Sequence, residues 1–396
     1  MTKEKNIAVL QQTGLSDLSR PDLPRQRPEK IHALTSLRFF AALFVVFYHT
    51  LWSAVPAITR TNLAGHILSL GFLSVSFFFL LSGYILGMVY LRSGKPLNKR
   101  TFLTARFARI YPLYFLTLIA DTPFLLSSRI AQYGWTSAVV KTTITFIANI
   151  FMLQAWILAL RGIDNPNWSL SVETVFYLLF PFIGIWIWKL RGPGLWIAAV
   201  VFWLGGQGIV YALTPHVIEE TIKFNPLLHI STFALGIVLA RWQTLQREKH
   251  GTSPKHGASI AMALLLTLAI CAALVHWLAS VPMNNLNDGL MAPAFGCLIW
   301  AFSANRSLPA RILSAPWLVV LGEASYGLYL IHLPVYHVYE RLHLVGVRSL
   351  YPVYLCTCIG LSVLSFYLIE TPVRKWILTR LQTRPKETME AASDAQ

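Results

Sequence analysis

Charged residues are scarce in this chain, and their scarcity excludes a soluble globular enzyme. Only 13% of the 396 residues are charged, whereas 55% are hydrophobic, and a typical soluble domain has about 25% charged residues. Apolar runs of about 20 residues recur along the chain, and each is long enough to cross the hydrocarbon layer as a helix. The composition therefore predicts an all-α fold, a polytopic transmembrane helix bundle.

Cysteine is also scarce, with four residues in the whole chain. All four lie in apolar runs, and their spacing matches neither a disulfide framework nor a zinc site. We interpret them as small packing residues, and we expect neither a metal ion nor a permanently bound cofactor. They are Cys271, Cys297, Cys356 and Cys358.

We also expect no cleavable signal sequence, because about 30 polar residues precede the first apolar run. Acidic residues are few, 17 against 33 Lys and Arg, so the formal net charge is +16. The basic residues are scattered over short loops, a pattern that indicates membrane topology and not nucleic-acid binding. We therefore expect a multi-pass protein of the inner cell membrane that has the lipid bilayer, and no nucleic acid, as its partner.

Eleven apolar runs are candidate spans, and the charge distribution tests how many of them cross. If all eleven cross, the basic residues divide 17 to 16 between the two sides. If one crossing lies between residues 110 and 160, they divide 26 to 7 with both termini cytoplasmic. We therefore predict about ten spans, with 110–128 or 138–158 as an additional re-entrant or interfacial segment. The runs are 34–54, 66–91, 110–128, 138–158, 170–188, 194–213, 226–240, 258–280, 287–303, 316–337 and 350–369.

Two ionisable residues interrupt the first run, LRFFAALFVVFYH, which has Arg38 near one end and His49 at the other. They point to nearly the same helix face, roughly 16 Å apart, and ionisable residues inside spans usually mark a site. Glu173, at the end of NPNWSLSVE, is expected at a similar depth, where a carboxylate would fix the tautomer of a general-base histidine. The alternative is that His49 makes an interior hydrogen bond and Glu173 starts its helix.

Arg106 and Arg109 lie one helical turn apart in NKRTFLTARFARIYPLY. Paired guanidinium groups suit phosphate oxygens, because each offers a planar fork of donors. Arg38 enters its span from the same side, where it either joins them or snorkels to the headgroups. Positive-inside topology and lipid headgroups explain these arginines without a ligand, so a phosphate-bearing donor is one of two readings.

Four further residues are candidate substrate contacts. Trp168 and Ser171 precede Glu173 in NPNWSLSVE, and Tyr326 and His332 lie in LGEASYGLYLIHLP, residues 321–334. Small residues around Tyr326 indicate close helix packing as the alternative.

The chain resembles the bacterial membrane acyltransferase family 3, the integral membrane O-acyltransferases that decorate surface polysaccharides and some small molecules. Each matching motif is weak alone, but six in family order over residues 32–376 are specific. They are the Arg38 and His49 pair, FFFLLSGYIL, RFAR, WSLSVE, LGEASYGLYLIH and IETPVRK.

The resemblance implies transfer of an acyl group, usually acetyl, from cytoplasmic acyl-CoA to a hydroxyl of a cell-surface or lipid-linked saccharide or related acceptor. His49 would be the catalytic histidine, acting as a general base or as a transient acyl carrier. Arg38, Arg106 and Arg109 would bind the CoA donor, and Glu173 would support the site.

The domain organisation predicted is a basic cytoplasmic tail at 1–31, the transmembrane domain at 32–376 and a polar cytoplasmic tail at 377–396. Many members of that family carry a fused extracytoplasmic domain after the last span, and we expect this chain to act alone or with a separate partner enzyme there. The rival function is a transporter or flippase of a lipid-linked saccharide, although the two-fold internal repeat of many transporters is not visible.

Overall fold

The computed structural model describes residues 31–55, 63–94, 96–250, 283–303, 308–345 and 347–381. These ranges consist of helices joined by turns and loops and contain no strand, which confirms the all-α prediction. The helices are α1 (His32–Ala54), α2 (Leu63–Ser69), α3 (Leu73–Leu86), α4 (Lys99–Tyr133), α5 (Trp135–Ile150), α6 (Trp168–Lys189), α7 (Pro193–Leu213), α8 (Glu219–Phe224), α9 (Ile230–His250), α10 (Met283–Asn287), α11 (Ala292–Phe302), α12 (Leu308–Leu313), α13 (Pro316–Arg341) and α14 (Tyr351–Ser365).

Among the described residues, seven helical segments are long and apolar enough to cross a membrane. A chain with this many such helices is a membrane protein, as its composition predicts. The count of ten spans and the cytoplasmic termini stay predictions, and the tail at 1–30, the run 258–280 and the tail at 382–396 lie outside the described residues. The seven segments are His32–Ser53, Leu63–Leu91, Lys99–Tyr133, Asn165–Lys189, Pro193–Leu213, Pro316–Arg341 and Tyr351–Leu381.

The two runs that the charge count left open differ in structure. Residues 110–128 lie inside α4, a single helix of 35 residues whose first turn is capped by the Asn98 side chain, which accepts from the Thr101 N–H at 3.0 Å. Run 138–158 does not form one helix, because α5 ends at Ile150 and turns and short 3₁₀ helices follow as far as Asn167. The first run therefore belongs to a membrane-length helix and the second does not.

Glycines set the closest helix contacts. A Cβ at Gly83 in α3 would lie 2.0 Å from the Phe233 carbonyl oxygen of α9, and a Cβ at Gly236 in α9 would lie 2.0 Å from that of Leu80. On the other side of the bundle, a Cβ at Gly322 in α13 would lie 2.1 Å from the Thr35 carbonyl oxygen of α1. Both pairs of helices therefore pack backbone against backbone, the arrangement that small residues allow in membrane bundles.

The aromatic core lies between α3, α4, α6 and α9, where Phe176 stacks on Phe233 with ring centroids 4.5 Å apart. Helix α13 packs on the other side of α4 and also along α1 and α14. The ionisable residues singled out in the sequence lie on α1, α4, α6 and α13, along the seams between these helices.

Candidate functional site

Helices α1 and α13 run in the same direction along their seam, and this places two polar groups at opposite ends of it. The Gly322 contact with Thr35 fixes one end, which also carries Arg38. Nearly three turns further along, His49 of α1 meets His332 of α13. We call these the arginine end and the histidine end of the site.

The histidine end is built around a direct contact of two imidazoles. Nε2 of His332 lies 3.2 Å from Nδ1 of His49, and the rings stack with centroids 5.3 Å apart. His332 is fully buried, and its Nδ1 lies 2.7 Å from the Tyr329 carbonyl oxygen. Every nitrogen of His332 therefore has a protein partner.

These partners determine which nitrogens carry hydrogen. A carbonyl oxygen only accepts, so His332 donates from Nδ1 to Tyr329 and its Nε2 holds the lone pair of a neutral ring. That lone pair accepts from Nδ1–H of His49. Nδ1 of neutral His49 is then protonated, and Nε2 of His49 is left as a basic nitrogen.

Two tyrosines of α14 hold this pair in place. Tyr354 donates its hydroxyl to the His332 carbonyl oxygen at 2.9 Å. Tyr351 shares a hydrogen bond of 3.0 Å with Thr50, the neighbour of His49, and all of these residues except His49 are buried. The ring positions are therefore fixed from both α1 and α13.

Glu173 lies away from the histidines, which corrects the expected depth of this residue. Its carboxylate accepts from the Ser82 hydroxyl at 3.2 Å and acts electrostatically on Tyr177 and Arg38. No contact joins Glu173 to His49 in the part of the chain that the structure describes, and the partner expected to be a carboxylate is His332. The catalytic roles of His49 and Glu173 stay predictions.

The register of α6 explains the shift of Glu173. Ser169, in the first turn of α6, hydrogen-bonds Tyr329 at 2.8 Å, and Tyr329 already lies one turn from His332 towards the arginine end. Glu173, a further turn along α6, is therefore about 6 Å deeper than Ser169, in the region of Tyr326, on which it acts electrostatically.

The arginine end collects the three predicted donor-binding residues. Arg106 donates to the Tyr90 hydroxyl at 3.1 Å, and its guanidinium lies 5.9 Å from the Tyr177 ring centroid. Arg109 acts electrostatically on Arg38. Each is only partly buried, so the structure brings all three into one half-open basic cluster.

A fourth guanidinium belongs to the same cluster. Arg374, beyond the end of α14, is half-buried and lies within electrostatic range of both Arg106 and Arg109. Glu370, one turn before it, faces Arg109 and Arg38. In the sequence Arg374 is only a basic residue after the last apolar run, and the fold brings it to α4.

The remaining predicted contacts have structural partners. Tyr326 donates to the Ile110 carbonyl oxygen at 2.7 Å, and buried Ser171 donates to the carbonyl oxygen of Met152. Trp168 is half-buried and packs edge-on against Phe224 with centroids 4.9 Å apart. Of the four candidate substrate contacts, only His332 therefore touches His49 among the described residues.

A loop of residues 151–167 borders the histidine end, and the sequence reasoning missed the group that anchors it. The buried carboxylate of Asp121 in α4 accepts from the Asp164 backbone N–H at 2.6 Å and contacts His337 Nδ1 of α13 at 2.6 Å. Tyr329 donates to the Pro166 carbonyl oxygen at 3.0 Å. Asp121 is the lone aspartate of an apolar run, and this feature of the sequence could have identified it as a residue with a specific role.

The described ranges contain no group of three or more His, Cys, Asp or Glu side chains placed to hold a metal ion. The chemistry of the site as described rests on imidazoles, guanidinium groups and carboxylates.

Comparison with known proteins decides what kind of enzyme this arrangement belongs to. The family model for the acyltransferase domain matches residues 31–371, which include the histidine end and all of the arginine end except Arg374. The chain belongs to this acyltransferase family. It is therefore an acyltransferase that transfers groups other than aminoacyl groups, which confirms the resemblance seen in the sequence motifs.

Three relatives are similar over most of this acyltransferase. Acyltransferase MdmB of Streptomyces mycarofaciens is 28% identical over 80% of this chain and 81% of its own. Nodulation protein 10 of Rhizobium leguminosarum bv. viciae is 29% identical over 86% and 92%. O-acetyltransferase OatA of Staphylococcus aureus is 26% identical over 88% of this chain but 58% of its own length. No solved structure matches the acyltransferase significantly.

Proposed function

We propose that this protein is an integral membrane O-acyltransferase that moves an acetyl group from acetyl-CoA to a hydroxyl of a cell-surface or lipid-linked saccharide. The family supports acyl transfer, and the O-acetyltransferase name of one relative supports oxygen as the acceptor atom. The observation that carries the mechanism is the hydrogen-bond order at the histidine end, which leaves Nε2 of His49 basic.

The donor binds with its phosphates at the arginine end. Four guanidinium groups offer forked donors to phosphate oxygens and attract a highly anionic ligand. His49 lies about 16 Å from Arg38 along α1, a separation comparable with the length of an extended pantetheine arm. The thioester would then reach the histidine end while the nucleotide stays at the arginines.

In the reaction, Nε2 of His49 takes the proton of the acceptor hydroxyl as its oxygen attacks the thioester carbonyl. The tetrahedral intermediate then collapses, the carbon–sulfur bond breaks, and the departing thiolate takes the proton from the His49 imidazolium. While His49 is cationic, its Nδ1–H still donates to the lone pair of His332, which stabilises the charge. An acyl group carried transiently on His49 is the second route.

Glu173 acts at the donor end in this scheme. It lies among Ser82, Tyr177 and the field of Arg38, where a carboxylate holds a guanidinium in place for phosphate. The arginine end faces the cytoplasm of the inner membrane, because Lys and Arg of short loops collect on that side. The acceptor then approaches the histidine end from the outer side.

The test uses the purified protein in lipid nanodiscs with acetyl-CoA and a hydroxyl acceptor. We expect release of free CoA thiol that depends on the acceptor, with an acetyl ester found on the acceptor by mass spectrometry. His49→Ala should lower the rate by about 10³-fold, whereas His216→Ala, which changes an exposed histidine outside the site, should leave it unchanged. Full activity of His49→Ala would contradict the mechanism.

A transporter of lipid-linked saccharide is the competing function, and the same assay separates the two. A transporter moves its cargo without breaking the thioester, so no thiol would be released with any acceptor. Acceptor-dependent thiol release from wild type, lost in His49→Ala, is incompatible with transport alone.

A further inference from the structure

Two cations lie beside the histidine end on the side away from the four arginines. Arg161, in the loop 151–167, places its guanidinium carbon 3.3 Å from the centroid of the Phe224 ring. Lys223 places its ammonium 5.5 Å from the same centroid. Each cation is therefore within the roughly 6 Å of the ring centroid that a cation–π contact requires. The two charges are no more than about 9 Å apart. We call Arg161, Lys223, Phe224 and Trp168 the cationic mouth.

The cationic mouth is held rigidly. Arg161 donates to the Asn165 side-chain oxygen at 2.6 Å, and the Lys223 carbonyl oxygen accepts from Nε2 of His229 at 3.0 Å. Nδ1 of His229 pairs with the buried Asp288 carboxylate at 2.9 Å. These hydrogen bonds hold the Arg161 guanidinium and the backbone of Lys223 beside the Phe224 ring.

The mouth also reaches the reacting histidine. The Lys223 ammonium is close enough to act electrostatically on the His49 imidazole. Trp168 packs on Phe224 with centroids 4.9 Å apart, and Ser169, the next residue, hydrogen-bonds Tyr329 at 2.8 Å. A ligand seated against Trp168 would therefore lie beside the part of α13 that holds His332 against His49.

The charges of the mouth are only partly satisfied by the protein. Burial lowers the pKa of Arg161 to about 10, with Glu220 opposing the shift. Burial also lowers the pKa of Lys223, which Glu219 opposes and Arg161 enhances. Glu219 and Glu220 are exposed and hence screened by water, and the buried Nε–H of Arg161 has no acceptor among the described residues.

We propose that the cationic mouth binds an anionic group of the acceptor, a carboxylate or a phosphate, and so holds a neighbouring hydroxyl at Nε2 of His49. An anion between the two cations removes their mutual repulsion and gives the Arg161 guanidinium a forked acceptor. The half-buried ring of Trp168 offers an apolar surface for the adjoining sugar ring, and the buried ring of Phe224 supports it. This inference rests on the proposed function and adds the substrate class: an acidic or phosphorylated saccharide.

The test compares three acceptors that differ in charge: methyl glucoside, methyl glucuronide and methyl glucoside 6-phosphate. With the purified protein in nanodiscs and acetyl-CoA, we expect kcat/KM to be at least about tenfold higher for the two anionic sugars. The double variant Arg161→Gln with Lys223→Gln should lose this preference while its KM for acetyl-CoA stays unchanged. The anionic sugar with the higher kcat/KM shows whether the mouth prefers a carboxylate or a phosphate.

Two variants control for folding and for general charge. Lys141→Gln removes another ammonium that lies over an aromatic ring, that of Tyr133 at 3.6 Å, outside the mouth, and should keep the preference. Arg161→Lys with Lys223→Arg, which keeps both charges, should restore most of it. The proposal is overturned if the wild type shows no preference for the anionic sugars. It is also overturned if the double variant lowers kcat/KM equally for all three sugars.

A binding measurement separates this proposal from the proposed function. In His49→Ala, which should turn over about 10³-fold more slowly than wild type, methyl glucuronide or methyl glucoside 6-phosphate should raise the thermal midpoint more than methyl glucoside does. The double variant should abolish that difference. No difference in His49→Ala overturns the anionic site even if acyl transfer is established, whereas a clear difference without thiol release from wild type supports the site and contradicts the acyltransfer mechanism.

Discussion

Nε2 of His332 lies 3.2 Å from Nδ1 of His49, and this contact determines which nitrogen of His49 is basic. The Tyr329 carbonyl oxygen fixes the proton on His332, and His332 fixes the proton on His49. The chain of hydrogen bonds starts at a backbone carbonyl, which can only accept, and ends at Nε2 of His49, the nitrogen proposed to take the proton. We therefore expect His332 to act as a positioning residue, whereas the sequence indicates it only as a candidate substrate contact.

The first prediction concerns His332. His332→Ala removes the acceptor for Nδ1–H of His49, so both tautomers of His49 become populated and the imidazolium loses its partner. We expect kcat to fall by about 10²-fold with little change in the KM for acetyl-CoA. The measurement is steady-state kinetics of the purified protein with acetyl-CoA varied at saturating acceptor.

A second substitution distinguishes positioning from packing. Glutamine offers a carbonyl oxygen that accepts from Nδ1–H of His49, so His332→Gln should recover a large part of the kcat that His332→Ala loses. Leucine fills similar space without an acceptor. If His332→Leu is as active as His332→Gln, His332 serves only to pack the helices.

The second prediction concerns Arg374. Because it joins Arg106 and Arg109 at the donor end, Arg374→Ala should raise the KM for acetyl-CoA by about tenfold, the value of one charge-assisted hydrogen bond. Its exposed neighbour Lys375 provides the matched control, and Lys375→Ala should leave the KM unchanged.

The chemistry of the donor gives an independent check of the arginine end. Acetyl-dephospho-CoA lacks the 3′-phosphate and should be a poorer donor for wild type. If the arginines bind that phosphate, at least one of the variants Arg106→Ala, Arg109→Ala and Arg374→Ala should use both donors equally well. Unchanged discrimination in all three would assign these residues to topology alone.

Arg374 and Glu173 show what the sequence does and does not specify. Periodic apolar runs predict helices and a membrane bundle, because the bilayer sets helix length and burial. Depth within the bundle depends on tertiary register instead. Counting from the edge of its run places Glu173 level with His49, but the first turn of α6 already lies inside the bundle, where Ser169 is level with Tyr329.

The pairing of His49 with His332 was equally beyond sequence reasoning. The two residues are 283 positions apart, and each looks like a single ionisable residue in its own run. What joins them is the close approach of α1 and α13 at Gly322 and Thr35. A small residue in LGEASYG predicts close packing, but not which helix packs against it.

The third prediction tests that close approach. Gly322→Ala places a methyl group 2.1 Å from the Thr35 carbonyl oxygen, so α13 must move away from α1. We expect the free energy of unfolding to fall by about 1–3 kcal/mol and kcat to fall with it. Gly205→Ala, at a helical position in α7 with open space around the added methyl, should be neutral or slightly stabilising. Equal stability of the two variants would contradict the backbone contact.

The fourth prediction concerns Asp164, in the loop that borders the histidine end. Burial, followed by the field of Asp121, raises the pKa of the Asp164 carboxyl well above its usual value. The folded protein therefore holds a proton that the unfolded chain has released, so stability falls as pH rises above the ordinary aspartate pKa. Asp164→Asn removes this loss without changing shape, and asparagine tolerates the positive φ of 43° found there.

Asp164→Asn should consequently be at least as stable as wild type at neutral pH, with an advantage that shrinks as pH is lowered towards 4. The thermal midpoint in nanodiscs between pH 4 and pH 8 is the measurement. Asp121→Asn is the matched substitution, and it should destabilise at neutral pH because Asp121 accepts from the Asp164 N–H and contacts His337. The opposite order of stability at neutral pH, with Asp164→Asn less stable than Asp121→Asn, would contradict this prediction. It would mean that the Asp164 carboxyl is ionised and paired in the folded protein. The loop would then be held by the charge of Asp164 and not by the backbone contact to Asp121.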